Sequence, residues 1–168
     1  MGSGQEPHEQ KAQLLGRWLA GEGVHLLTGG GRGVMTAVSR AFSEVEGRRG
    51  RVIGVLPGAE GAERSKTGYP NPWVEIPIYT HLVFSGKQGG DMLSRNHINV
   101  LSSNVVIALT GSAGTSSEVA LALSYGRPVV CYLDTRDQIP DLADEVPVCG
   151  ELDGIAKFVR SRLRTGPE

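Results

Sequence analysis

Apolar residues occur along the chain in two alternating patterns, short continuous runs and sets spaced three or four residues apart. The runs are typical of strands covered on both faces, and the spaced sets are typical of amphipathic helices. The predicted strands are Val24–Leu27, Arg51–Leu56, Val74–Tyr79, Val105–Leu109, a run through Val129 and Val130, and Val146–Cys149. The predicted helices are Gln10–Ala20, Gly33–Val45, Asp91–Ser103, one that opens near Thr115, and Glu151–Arg164. This alternation predicts an α/β fold with a doubly wound, mostly parallel sheet in a single domain over residues 1–168.

The amino-terminal end fits this alternation less well. The first helix of a doubly wound sheet normally follows a central strand, but only Met1–Gly4 and a polar stretch precede it here. Two interpretations stay open. The Gly-Ser-Gly sequence is either left over from an expression tag or the first strand-to-helix turn. The second interpretation predicts a first strand that is short or truncated.

One stretch, Asn104–Val130, combines a buried strand, a turn of small residues, a helix and a second buried strand. The turn, Thr110–Thr115, places backbone amides with little side-chain bulk at the start of the helix. Unpaired amides and the positive end of the helix dipole hold phosphates and carboxylates at such positions. Because the turn lacks the Lys of a P-loop, it favours a ligand with one phosphate over a nucleoside triphosphate with magnesium.

A second turn, Thr28–Gly33, contains four glycines between a predicted strand and a predicted helix. Glycines in such a turn let a ligand touch the backbone, although an ordinary tight turn has the same composition. The pattern is not a dinucleotide fingerprint, because Val34 stands where the third glycine belongs and no acidic residue ends the next strand. We therefore expect no NAD.

Two charged residues lie near these turns. Thr115–Glu118 has the S/T-x-x-E form of a capping box, so Glu118 either caps its own helix or presents a carboxylate to a ligand. Arg95 lies in a predicted helix, four residues before Asn99. It is either a solvated surface residue or a bidentate ligand of a phosphate. His97 is expected at the surface or in an interface.

Residues 58–72 are rich in glycine, proline and charge, and residues 84–91 form a second glycine-rich stretch. The first is predicted to be a long surface loop, and long loops in compact domains are often functional.

Composition narrows the function classes. The net charge is −1, and no run of Lys or Arg exceeds two residues, so we expect neither nucleic acid nor an anionic membrane as a partner. No apolar run approaches the roughly 18 residues of a membrane span, and the chain opens without a signal-peptide pattern. Cys131 and Cys149 are interpreted as buried thiols of a cytoplasmic protein. The four histidines are scattered, so no metal site is expected, and the lysines lie in polar or loop contexts, which argues against pyridoxal phosphate.

The motifs resemble the superfamily once labelled "possible lysine decarboxylase", which includes the LONELY GUY cytokinin-activating phosphoribohydrolases. The enzymes' pattern PGGxGTxxE reads here TGSAGTSSE over residues 110–118, and their Arg-Lys pair reads Arg95-Asn96. These departures point to the sister branch of molybdenum cofactor carrier proteins, which LLTGGGRGVM, VIGVLPG, RNHINVLSSNVVIAL and GTSSEVALAL also resemble. The similarity spans roughly residues 10–135. It implies a Rossmann-like fold, a strand ahead of the Gly-Ser-Gly turn, and dimers or tetramers.

In these carriers the cofactor's phosphate and pterin lie at the ends of the strands. The ligand-binding residues that the turns and the resemblance together indicate here are Ser3, Gly29, Gly30, Gly31, Gly33, Met35, Arg95, Gly111, Ser112, Ala113, Gly114, Thr115 and Glu118.

The resemblance leaves two main functions. One is a binding protein that carries or stores the molybdenum cofactor, a phosphorylated pterin. The other is a nucleoside 5′-monophosphate N-glycosidase, in which Arg95 and Glu118 are catalytic. A third option is a nucleotide-sensing or other phospho-ligand module. The departures at Asn96 and Ser112 favour the carrier. A homodimer or homotetramer is expected, because the helix through Val119–Leu123 is apolar nearly all round, with His97, Ile98 and Leu101 as further interface residues.

Overall fold

A computed structural model describes residues 1–59 and 65–163 of the chain. The helices are α1 Glu9–Gly21, α2 Val34–Ser43, α3 Asn96–Leu101, α4 Ala113–Ser124 and α5 Leu152–Leu163. The strands are β1 Leu26–Thr28, β2 Val52–Leu56, β3 Ile76–Tyr79, β4 Val106–Ala108, β5 Val129–Tyr132 and β6 Val148–Cys149. Short 3₁₀ turns occur at Gly86–Gln88 and Arg136–Gln138.

The strands form two three-stranded sheets, in the orders β1-β2-β3 and β4-β5-β6. Every pairing is parallel; Leu27 pairs with Ile53 in the first sheet, and Ile107 pairs with Val130 in the second. The predicted α/β architecture with parallel strands is confirmed. Residues of β1 and β4, the two strands that begin these sheets, line one cavity of about 620 Å³.

Met1 is all that the described chain contributes to the predicted first strand. Its amino group donates to the Ile107 carbonyl at 2.8 Å, and the Leu109 amide donates to the Met1 carbonyl at 3.0 Å. This pair of bonds is the repeat of a parallel ladder, with Met1 opposite Ala108. Among the described residues, the predicted short first strand is present only as this pairing of Met1 with β4, and residues 2–4 follow it.

The helices and sheets are held together by two apolar clusters. The larger cluster packs α1, α2 and α5 on the sheets around fully buried Phe42 and Ile155, and the smaller one surrounds α4 with β4, β5 and β6. All four residues of β5 are buried, which explains its continuous apolar sequence. Helices α1 and α2 approach closely at Gly16, where a Cβ would lie 3.0 Å from the Ala41 Cβ.

Several predicted boundaries shift. The predicted helix Asp91–Ser103 begins only at Asn96, because the Asp91 carboxylate accepts the Leu93 amide at 2.9 Å and stabilises a turn instead. Strand β1 begins at Leu26, two residues later than predicted. The predicted Arg164 end of the last helix lies outside the described residues.

The expectation of a surface loop over residues 58–72 is wrong for part of its length. Gly58 is buried, and Asn71 is 4% exposed because its amide donates to the Gly30 carbonyl at 2.8 Å. Residues 60–64 of the predicted loop lie outside the described residues.

Candidate functional site

Three turns meet at the carboxyl ends of the strands, the position where open parallel sheets bind ligands. They are the turn at residues 2–4, the first glycine turn (Thr28–Gly33) and the second glycine turn (Thr110–Thr115). Ser3 joins them, since its amide donates to the Thr110 carbonyl at 2.9 Å and its carbonyl accepts the Val34 amide at 2.9 Å. The ends of both sheets are thus fixed to one another by the backbone of one residue.

The first glycine turn is closed by bonds within the protein. The Gly30 amide donates to the Thr28 hydroxyl at 3.1 Å, and the Gly31 carbonyl accepts the Asn71 side-chain amide at 2.9 Å. Gly30 and Gly33 have φ values of 70° and 63°. A Cβ at Gly33 would overlap the Ser3 carbonyl. Glycine is therefore required here for backbone geometry.

The second glycine turn is only partly closed. The Gly111 amide donates to Gln138 at 3.2 Å, and the Thr115 amide donates to Ser112 at 2.9 Å. The amides of residues 112–114 have no acceptor among the described residues. They stand at the start of α4, a helix of 12 residues whose dipole adds positive potential. Of the amides in this turn, these three remain available to an anion.

The capping box predicted over Thr115–Glu118 does not form. Helix α4 begins at Ala113, with Ser112 at the N-cap and no side-chain capping bond, so Thr115 already lies inside the first turn. Thr115 is buried instead, with its hydroxyl directly against Gly111. Glu118 is consequently free of the capping role and points toward Arg95.

Arg95 is 5% exposed, so the interpretation as a solvated surface residue is wrong. Its Nη1 lies 3.7 Å from the Glu118 Oε1 and donates to the Asn96 Oδ1. Its guanidinium lies directly against Gly29, where a Cβ would overlap it. The Arg95 Nε is buried and has no hydrogen-bond partner within the part of the chain that the structure describes. A buried guanidinium with a loose ion pair and a free donor is suited to an additional anion.

The structure adds residues that sequence reasoning did not single out as ligand contacts. Asn99, 5% exposed, lines the cavity with an Oδ1 that has no partner in residues 1–59 and 65–163. Tyr69, Ser85 and Gly86 also line it. Gly86 covers the second glycine turn so closely that a Cβ at Gly114 would lie 3.1 Å from its Cα. In the sequence, the glycine-rich stretch over residues 84–91 was the only indication that a loop lies over this turn.

The amino group of Met1 also reaches this cavity. Burial lowers its pKa below the usual value of 8.0, and the nearby Glu118 carboxylate partly opposes that shift. A charged amine held away from water in this way needs an acceptor, and the Ile107 carbonyl is the one it has.

The cavity brings together about half of the predicted site. Its wall includes Gly29, Met35, Arg95, Ser112, Gly114, Thr115 and Glu118. The remaining predicted residues belong to the same turns but are not part of the described cavity wall: Ser3, Gly30, Gly31, Gly33, Gly111 and Ala113. Within residues 1–59 and 65–163, no group of three or more His, Cys, Asp or Glu side chains has the arrangement of a metal site. Over the same residues, no helix has the length and apolar character needed to traverse a lipid bilayer.

Solved structures with this architecture include two that are described as molybdenum cofactor proteins. The molybdenum cofactor binding protein of the phototrophic bacterium Rippkaea orientalis is 33% identical, with a TM-score of 0.74 over 97% of this chain and 93% of that one. The molybdenum cofactor carrier protein of Chlamydomonas reinhardtii is 30% identical, with a TM-score of 0.67 over 98% of this chain and 96% of that one. The resemblance inferred from the motifs is confirmed by these similarities.

An uncharacterized protein of Archaeoglobus fulgidus is 31% identical over 118 residues. The match covers 70% of this chain and 66% of that protein, slightly less than two thirds of its length. The family model described as the SLOG cluster4 family matches residues 1–148. Since that match covers most of the chain, the protein belongs to the SLOG cluster4 family.

Proposed function

We propose that this protein binds the molybdenum cofactor, a phosphorylated pterin, and carries or stores it. The observation that carries the proposal is the polar end of the cavity. There Ser112 and Gly114, whose amides have no acceptor among the described residues, line the same space as the buried guanidinium of Arg95. The similarity to proteins described as a binder and a carrier of this cofactor supports it.

The phosphate has two sources of recognition. The amides of residues 112–114 donate along the axis of α4, where the helix dipole also favours an anion. The free Nε of Arg95 supplies a charged donor from the opposite element. Both groups contact an anion directly, so the arrangement is suited to a phosphate monoester.

The ring system has its own complement of contacts. The Asn99 Oδ1 lacks a donor, and a pterin carries N–H groups that can supply one. Met35 and the apolar side chains beyond it provide a wall for a flat ring. A cavity of about 620 Å³ is large enough for such a ligand.

The test is to load the purified protein anaerobically with molybdenum cofactor. The bound fraction is recovered after gel filtration, converted to fluorescent pterin oxidation products and identified by mass spectrometry. We expect one pterin per chain and slower loss of the cofactor in air than in buffer alone. Recovery equal to that of an unrelated protein of the same size would contradict the proposal.

A second function is supported by one observation, the pairing of Arg95 with Glu118 beside the phosphate-binding amides. This is the arrangement expected of an N-glycosidase acting on nucleoside 5′-monophosphates. Chromatographic measurement of adenine released from adenosine monophosphate distinguishes the two functions. A glycosidase would lose about 10²–10⁴-fold in turnover in Glu118→Gln. A carrier shows no release above the buffer blank.

A homo-oligomer is part of the proposal, and an apolar surface beside the site supports it. Met92 is 89% exposed, and Leu93, Leu101 and Tyr125 are each at least 40% exposed. They lie on and just before α3 and at the end of α4, whereas Val119 and Ala122 of the predicted interface helix are buried in the core. Sedimentation equilibrium at micromolar concentration should give at least twice the monomer mass.

A cytoplasmic location also stays a prediction, in keeping with the two free cysteines.

A further inference from the structure

Tyr69 is an aromatic residue of the cavity wall, and hydrogen bonds fix its place beside the first glycine turn. Two residues later, Asn71 donates its amide to the Gly30 carbonyl at 2.8 Å and its side chain to the Gly31 carbonyl at 2.9 Å. The Tyr69 carbonyl accepts the Ser65 hydroxyl at 3.1 Å. The phenol hydroxyl itself has no hydrogen-bond partner within the described chain. These bonds position the ring, but none of those in the described chain requires a tyrosine there.

The ring of Tyr69 and the side chain of Met35 meet over the first glycine turn. A Cβ on Gly31 would lie 2.7 Å from the Met35 Cε and 3.0 Å from the Tyr69 Cε1, so glycine leaves the room that both side chains occupy. Gly30 faces the other way, since a Cβ there would overlap the buried Leu56. Because Tyr69 and Met35 both line the cavity, they form one surface beside the turn, here called the ring platform.

A charged group lies at the other end of this short stretch of backbone. The Arg95 guanidinium lies directly against Gly29, two residues before Gly31. Two residues span at most about 7 Å of backbone, so the guanidinium and the ring platform contact neighbouring positions of one turn. Arg95 is 5% exposed and its Nε has no partner among the described residues, which suits it to a phosphate. A ring joined to that phosphate by a few bonds would then lie beside Tyr69.

We propose that Tyr69 stacks on the ring of the bound ligand and makes the site selective for phosphates of flat heteroaromatic compounds over sugar phosphates. This role rests on the proposed function, because the phosphate contact at Arg95 sets where the ring lies. A heteroaromatic ring places a whole face in offset contact with a tyrosine ring, whereas a sugar presents no such face. Stacking of a nucleic-acid base on an aromatic side chain contributes about 5- to 150-fold in affinity.

The experiment compares two ligands that share a phosphate and differ in the ring. One is the phosphorylated, fluorescent oxidation product of the molybdenum cofactor, and the other is ribose 5-phosphate. In Tyr69→Leu we expect calorimetry to show at least about fivefold weaker binding of the pterin phosphate, because the aromatic face is lost while an apolar side chain remains. Binding of ribose 5-phosphate should change less than about twofold, because the contacts to the phosphate are unchanged.

Tyr79→Leu is the matched control. Tyr79 belongs to β3 and is not part of the cavity wall. The same loss of an aromatic ring should therefore leave the affinity for both ligands close to that of the parent.

Fluorescence separates stacking from a role in folding. An excited pterin takes an electron from a phenol in van der Waals contact with it, so stacking on Tyr69 should quench the bound probe. Phenylalanine stacks equally well but is a much poorer electron donor. We therefore expect Tyr69→Phe to bind the pterin phosphate within about twofold of the parent affinity and to restore most of the probe's brightness. Loss of packing alone would not produce this combination.

Equal affinities of the parent and Tyr69→Leu for the pterin phosphate overturn the proposal, and so does a bound probe that is equally bright in the parent and in Tyr69→Phe. Parallel weakening of both ligands in Tyr69→Leu also overturns it, because Tyr69 would then support the whole site rather than the ring. In these three cases the proposed function stands. A parent chain that binds neither ligand would overturn the proposed function as well.

Discussion

The two glycine turns have similar sequences but opposite states of backbone pairing. In the first, the Gly30 and Gly31 carbonyls are taken by Asn71 and the Gly30 amide by Thr28. In the second, three consecutive amides have no acceptor among the described residues. Glycine content therefore does not distinguish a turn that fixes the fold from one that contacts a ligand. The distinguishing property is which polar groups remain unpaired where they are shielded from water.

The strongest test of this comparison is Gly33→Ala in the first turn. The new Cβ would overlap the Ser3 carbonyl at a φ of 63°, so we expect a loss of at least about 2 kcal/mol in the free energy of unfolding. Urea denaturation measures it. Gly47→Ala is the matched control, because Gly47 has a φ of 71° with open space around it, and its loss should be about 1 kcal/mol. If Gly33→Ala and Gly47→Ala lost the same free energy of unfolding, Ser3 would not constrain the turn.

A smaller effect is expected on ligand affinity from Arg95→Met. Removal of one charged donor from the polar end of the cavity should weaken binding of a pterin phosphate by roughly 10- to 150-fold, which corresponds to about 1.5–3 kcal/mol. Isothermal titration calorimetry measures the change. Arg32→Met removes the same charge from an exposed position in the first turn and should change affinity less than threefold. The comparison fails if Arg32→Met is the more damaging of the two.

The first sheet has a pH-dependent contribution to stability from Glu75. Burial raises the pKa of Glu75, but the Val52 amide, Arg51 and Arg48 outweigh burial and lower it to about 2. Because the folded pKa lies below the usual 4.5, this stability is present above about pH 4.5 and is lost as the pH falls toward 2. In Glu75→Gln the free energy of unfolding should fall less over that window than in the parent. The assignment to Glu75 would be contradicted if the free energy of unfolding of Glu75→Gln depended on pH as steeply as that of the exposed control Glu44→Gln.

The smallest effect is expected on the reactivity of the two thiols in the second sheet. Burial raises the pKa of Cys131 to about 11. At pH 8 only about one molecule in a thousand then carries the reactive thiolate. A chromogenic disulfide reagent should therefore label one thiol rapidly in the folded protein, the partly exposed Cys149. The variant Cys149→Ser should show almost no fast labelling until it is unfolded.

Much of the fold could be predicted from the sequence because buried parallel strands and amphipathic helices leave strong periodic patterns. The fully buried β5 and the helix α2, with Val34, Val38 and Phe42 in the core, are examples. Helix α3 was predicted too long, because the turn before it depends on a single bond from the Asp91 carboxylate. Periodicity does not report such a bond.

The candidate site, like the fold, could be predicted from the sequence only in part. The glycine turns were visible as sequence motifs, and so were Arg95 and Glu118. Asn71 and Asn99 were not, since an asparagine in a loop or on a short helix has no pattern of its own until the fold places it. Similarly, the capping-box motif at Thr115 gave the wrong helix start, because burial of Thr115 against Gly111 outweighed the local preference.

The loose contact between Arg95 and Glu118, at 3.7 Å, has a kinetic consequence for a protein proposed to carry cargo. A phosphate that engages the free Nε of Arg95 shares that guanidinium with an anion that the protein itself supplies, so the two anions compete for one positive charge. Such an internal competitor lowers the net affinity and shortens the residence time without weakening any contact to the cargo. The same carboxylate that shields Arg95 in the free protein would thus speed the handover of the cargo to its next acceptor.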